Sequence, residues 1–163
     1  MGETDLRAML GPAVVEGAGA AAAEAVLAEA PLGYLAMGGG AWPYCVPLSF
    51  VFAGGAVYFH GRGVLKRALL AADPRACFVV GTGPEFLRGD GPCDDNFAYE
   101  SVLVFGTARR VSDAAERERA LRDIIGKYDP AVRGAAIDGT LPKTVVWRLD
   151  IEAVTYKRHD SGR

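Results

Sequence analysis

Apolar and polar positions change their period several times along the chain of 163 residues. Between Ala20 and Ala30, Ala22, Val26, Leu27 and Ala30 recur at helical spacing, Glu24 and Glu29 interrupt the apolar run, and Pro31 closes it, so a helix is predicted. From Gly33 the period drops to two. Tyr34 to Met37, Pro43 to Phe52 and Ala56 to His60 are strand-like runs separated by Gly38-Gly39-Gly40 and Gly54-Gly55, the punctuation of a three-strand meander. In the middle run Tyr44, Val46, Leu48, Phe50 and Phe52 alternate with Cys45, Pro47, Ser49 and Val51, which gives one strongly apolar face. Pro47 has no N–H to give a ladder and belongs at a sheet edge or bulge, where backbone groups are free to meet a ligand.

A second, short helix is predicted with Val64, Leu65, Ala68, Leu69 and Ala72 on its packed side, ending before Pro74, and Arg75 to Val80 reads as a strand. Gly81 to Ala98 holds Gly, Pro and Asp without apolar periodicity and is predicted as a loop, long enough to imply a site or an interface. Ser101 to Val111 is strand-like. Asp113 and Glu116 have capping-box spacing ahead of a helix whose buried stripe is Leu121, Ile124, Ile125 and Tyr128, stopped by Pro130. After a looser stretch from Ala131 to Pro142, Thr144 to Thr155 is the last strand. Five or six strands, short turns and peripheral helices predict a mainly β fold, a closed or nearly closed barrel.

Half the residues are hydrophobic and 23% are charged, as in a folded globular chain of one domain. We expect residues 1–163 to form that domain, with 1–31 an N-terminal extension and helix and 32–157 the barrel core. A net charge of −2 supplies no broad positive field, so neither nucleic acid nor an anionic membrane is an expected partner. No basic segment followed by an apolar run opens the chain, and the predicted location is the cytoplasm. Cys45, Cys77 and Cys93 fit neither a disulfide framework nor zinc spacing. Cys45 and Cys77, inside strand-like runs, read as small buried hydrophobes, whereas Cys93 falls in a polar loop.

Candidate chemistry concentrates at His60-Gly61-Arg62-Gly63, where a strand ends and a helix opens with Lys66 in its first turn. Cations at a helix N-terminus are unfavourable unless they face an anion, so a phosphate or carboxylate site is one reading and a solvated basic turn the other. Gly61 and Gly63 lack the third glycine of the dinucleotide fingerprint, and no P-loop occurs. His60 and His159 would have to borrow Cys93, Asp90, Asp94 or Asp95 at unsuitable spacing to hold a metal, so none is expected. Ser49, His60 and Asp94 form a hydrolase triad only on paper, because the nucleophile elbow is missing. His60 alone reads as a structural histidine or as a catalytic one.

Several segments together carry a resemblance: Gly33 to Met37, Trp42-Pro43-Tyr44-Cys45-Val46-Pro47-Leu48-Ser49-Phe50, Val57-Tyr58-Phe59-His60, Lys66 ahead of Asp73-Pro74-Arg75-Ala76-Cys77-Phe78, Pro92-Cys93-Asp94, and Tyr99 to Gly106. Across most of 32–157 the chain resembles the FMN-binding split-barrel superfamily (pyridoxamine 5'-phosphate oxidase-like), more closely its nitroimidazole-resistance (Nim-like) branch. The resemblance implies a Greek-key-like six-stranded split barrel and a homodimer holding FMN at the subunit interface. It implies Val46, Pro47, Leu48 and Ser49 along the flavin, Arg62 and Lys66 on its phosphate, and His60 beside the flavin or substrate as the candidate proton donor. The 81–98 loop is expected to close over the partner's flavin. The turn from Gly61 to Leu65 is shorter than the Nim-like form, and Val64-Leu65 stands where the oxidases carry Ser-Arg before the lysine. Asp150 follows Trp147-Arg148-Leu149 where the true oxidases continue with histidine, so vitamin B6 synthesis is not implied. The implied activity is an FMN-dependent oxidoreductase that takes electrons from a nicotinamide donor and reduces a small acceptor, nitro-aromatics among the candidates. The alternatives are a non-catalytic flavin or haem binder, and an interaction protein that keeps the fold without a cofactor.

Overall fold

The computed structural model describes residues 3–89, 91, 93–132, 134 and 144–160; Asp90, Pro92 and most of the looser stretch before the last strand lie outside the described residues. Two helices come first, α1 (Glu3–Leu10) and α2 (Ala18–Glu29), then β1 (Gly33–Met37), β2 (Tyr44–Leu48), β3 (Phe50–Ala53) and β4 (Ala56–His60). After α3 (Val64–Ala72) come the long strands β5 (Arg75–Leu87) and β6 (Asn96–Arg110), then α4 (Ala114–Tyr128) and β7 (Val146–His159). Asp113 caps α4 by accepting from the Glu116 N–H at 2.7 Å.

The seven strands form one antiparallel sheet in the order β2-β1-β5-β6-β7-β4-β3. Its two end strands are consecutive in the chain, joined through Ser49 alone. A sheet whose first and last members share one kinked run has to curl until its edges meet, and the product is the mainly β barrel with peripheral helices that the pattern predicted. The run from Pro43 to Phe52, read as one strand, is two pairing units: β2 pairs with β1 and β3 pairs with β4. Counting the kinked run once gives six strands, and counting pairing units gives seven.

Phe50, Phe59 and Phe78 are fully buried at the barrel centre, with Phe50 edge-on to Phe78 at 4.7 Å between ring centroids. On the outside of β4, Ala56 and Tyr58 pack under Ala120, Leu121 and Ile124 of α4. Gly106 marks a slip in the β6–β7 register, and a Cβ there would lie 2.0 Å from the Asp150 carbonyl oxygen, so only glycine fits this bulge.

Several expectations need correction. Much of the predicted loop from Gly81 to Ala98 is strand: β5 and β6 continue pairing past a bulge at Thr82 and Glu85 as a two-stranded arm, leaving only 88–95 outside the ladder. This arm has no core beneath it to impose alternation; Phe86 and Phe97 meet edge-on at 5.4 Å with half of each side chain exposed. Cys45 is exposed and not buried, because it points away from the barrel interior, while Cys77 is half-buried. The packed side of α3 is rotated from the predicted one: Leu69 is buried as expected, but Val64 and Leu65 are 78% and 52% exposed, Ala68 and Ala72 are exposed too, and Lys66 and Leu70 are buried in their place.

Candidate functional site

The site begins with a gap left by barrel closure. Among the described residues β2 is bonded only to β1, which leaves its other edge open. Phe50 pairs with Phe59, and continuing that register puts Ser49 opposite His60 and Leu48 opposite Gly61. The ladder stops there because the chain leaves β4 as a turn, in which Gly61, at a φ of +148°, donates its N–H to the Val145 carbonyl, just ahead of β7, at 3.2 Å. The open edge from Val46 to Ser49 therefore runs beside the turn that carries His60, Arg62 and, one helical turn on, Lys66. Within this edge the apolar members Val46 and Leu48 lean on the core, and Pro47 and Ser49 are exposed.

Lys66 is 5% exposed, and its Nζ lies 5.2 Å from the Phe59 ring centroid. Among the described residues no hydrogen bond or ion pair reaches it. Burial lowers its pKa from the ordinary lysine value. A lysine drawn in among apolar side chains without a partner for its ammonium is costly, and an anion is the group that would relieve it. α3 adds to this, since Gly63 at its N-cap supplies no side-chain bond to the first-turn N–H groups. His60 keeps one face in water, yet packing around the rest of the ring lowers its pKa, and the charge of Lys66 lowers it further. Its imidazole is thus neutral at pH 7. Arg62 is exposed on the same turn.

Together these residues gather two cations and a histidine beside a free backbone edge. A second buried donor lies at this end of the barrel: the indole N–H of Trp147, cross-strand from Phe59, has no acceptor. A cavity of about 740 Å³ lies elsewhere, between α1 and the outer face of β1, β5 and β6, with Met37, Arg75, Cys77 and Phe105 in its walls.

Residues 19–158 match the family model described as pyridoxamine 5'-phosphate oxidase. The chain belongs to the pyridoxamine 5'-phosphate oxidase family. No curated protein matches it. Among solved structures, the flavocytochrome Anf3 of Azotobacter vinelandii is 24% identical over 85% of this chain and 66% of its own, with a TM-score of 0.75. A candidate 5-nitroimidazole antibiotic resistance protein of Bacteroides thetaiotaomicron is 20% identical over 88% of this chain and 84% of its own, at 0.72. An FAD and heme binding protein of Mycobacterium smegmatis is 23% identical over 85% and 70%, at 0.75. At these identities the shared feature is the split-barrel fold. The chain spans about two thirds of the flavocytochrome's length.

Within this member of the pyridoxamine 5'-phosphate oxidase family, sequence reading passed over two clusters. Glu116 accepts hydrogen bonds from the Tyr58 hydroxyl at 2.9 Å, from Arg148 at 3.0 Å and from Arg109 at 3.2 Å, and the Arg148 guanidinium foremost holds its carboxyl below the ordinary range. The capping-box spacing concealed this, because the Glu116 side chain goes to β4, β6 and β7 and not back to its own helix start. The second cluster is Lys127 and Tyr128 at the end of α4, which reach Phe50. Tyr128 had a place only in an apolar stripe, and it is 41% exposed.

Proposed function

We propose that this chain binds FMN in the gap between β2 and the turn from His60 to Lys66, and works as a homodimeric oxidoreductase that passes electrons from a nicotinamide donor to a small acceptor such as a nitro-aromatic. The observation that carries the reading is Lys66, a residue only 5% exposed at a helix start, whose ammonium has no counter-charge among the described residues. Lys66 and Arg62 would hold the phosphate, and the backbone of Val46, Pro47, Leu48 and Ser49 would line the ring and ribityl chain. A bound flavin supplies the two-electron chemistry, and the protein sets its orientation and solvent access. Burial foremost and the Lys66 charge second hold the His60 pKa down; a phosphate beside Lys66 would offset the second of these and move the imidazole part of the way toward the range where it can hand over a proton. The exposed Val64 and Leu65, with the aromatic tip of the β5–β6 arm, are apolar surface of the kind a second subunit would cover.

The test is an absorption spectrum of the purified protein before and after adding FMN, with mass spectrometry of any molecule released on denaturation. Flavin bands and released FMN support the reading. A Soret band would replace it with a haem protein in which His60 is the candidate ligand, and a colourless protein indifferent to FMN would reject it.

A further inference from the structure

We infer that Tyr128 is a positioning residue for the open edge of β2, an inference that deepens the flavin reading and rests on it for its functional meaning. Phe50 is the first residue of β3, directly after Ser49. Its N–H donates to the Tyr128 hydroxyl at 2.9 Å, and the same hydroxyl donates to the Phe50 carbonyl at 3.2 Å. β3 has a strand on one side only, β4. One phenol oxygen, accepting and donating at once, thus does for Phe50 what an adjacent strand does with a backbone N–H and C=O. Beside it, the Lys127 Nζ sits 3.6 Å from the Phe50 ring centroid and donates to the Leu27 carbonyl at 3.2 Å, which ties α4 and α2 to the same residue.

The consequence is local. Ser49 is the only residue between β2 and β3, and a pin on Phe50 fixes where one pairing unit stops and the other begins. That sets the height of Val46 to Ser49 against His60 and Lys66. A loosened Phe50 would let the kink wander and misplace the edge without touching the cation.

The experiment pairs Tyr128→Phe with Lys127→Met in the full-length protein, read by residue-resolved amide exchange without flavin and by titration with FMN and with riboflavin. Tyr128→Phe should speed exchange at Ser49 and Phe50 by about tenfold over the rest of the sheet. It should weaken both flavins by a similar factor, about five- to tenfold, leaving their ratio unchanged, since the phosphate cradle is intact. Lys127→Met should lower thermal stability while exchange at Ser49 keeps pace with the rest of the sheet. Uniformly faster exchange in Tyr128→Phe with unaltered affinities would make Tyr128 merely structural and overturn the inference. In the wild type, the Phe50 amide should exchange far more slowly than the β2 amides that face the open edge; equal rates would overturn it even if Tyr128→Phe failed to fold. A wild type that binds neither flavin defeats the proposed function, and the exchange measurements still decide whether Tyr128 holds the edge.

Discussion

Barrel closure leaves two gaps, one along the free edge of each half of the kinked run from Tyr44 to Ala53, and the protein treats them oppositely. At the β3 half the gap is closed at its first residue: Tyr128 bonds both backbone groups of Phe50, and Lys127 covers its ring and finds the Leu27 carbonyl. At the β2 half no described residue bonds the edge, and the lysine that arrives there, Lys66, stands off the Phe59 ring with no acceptor among the described residues. Phe50 and Phe59 are cross-strand partners, so the two lysines approach one aromatic pair. Lys66 is the more buried of the two and, among the described residues, the one without a partner. A cation over a ring with a carbonyl to bond is a structural clasp, and one without such a partner awaits a ligand.

The sharpest way to break this comparison is Lys66→Met. FMN affinity should fall by about 10- to 100-fold, the worth of a charge-assisted bond to a phosphate, while riboflavin binding changes by less than about twofold. The urea midpoint of the flavin-free protein should rise, because an uncompensated buried charge is replaced by an apolar chain of similar length. Equal losses for the two flavins would move Lys66 away from the phosphate. Next in size, Gly61→Ala should weaken FMN by about tenfold and cost roughly 1–2 kcal/mol of stability. An added methyl there would sit 3.0 Å from the Lys66 Nζ, on a backbone whose φ of +148° disfavours any side chain; unchanged FMN titration would show that the ammonium has room to move.

A third test follows from pH. Burial lowers the Lys127 pKa to about 8, whereas an unfolded lysine keeps its proton to about pH 10.4. Between those values the native state binds fewer protons than the unfolded one, so this residue makes stability rise with pH across that window. Urea unfolding of the wild type and Lys127→Met at pH 7.5 and 9.5 should show the steeper rise in the wild type; parallel changes would mean that Lys127 is better solvated than its position implies. The smallest effect concerns coverage of the open half. Cys45 is exposed in the single protomer, and burial pushes the Cys77 thiol up to about 11. A thiol reagent at neutral pH should label the exposed Cys45 and Cys93 before Cys77, and Cys45 more slowly as concentration drives dimer formation; a Cys45 rate independent of concentration would place the partner elsewhere.

Much of the architecture was legible because barrel strands with one buried face must alternate, as Tyr44 to Phe52 does. The arm was not, since strands that pair away from any core answer to no such rule, and Glu85, Phe86 and Leu87 gave no pattern to read. Cys45 was misread for a related reason: membership of a strand does not say which face is inside when Pro47 and Ser49 share that face. The basic turn was visible through its incongruous charges, but Val64 and Leu65 outweighed Lys66 in the reading of α3, and only the fold shows the helix turning its cation inward. Tyr128 carried no signal. Its role depends on the first residue of a strand 78 positions earlier in the chain, a relation that no local period records.

An open strand edge is also a template on which another chain can grow, so the β2 half is where this fold is most exposed to self-association. Pro47 interrupts that template, because one position in the row has no N–H to offer an incoming strand. Replacing it with valine would complete the row, and filament formation by the ligand-free protein is where the loss of this safeguard would surface.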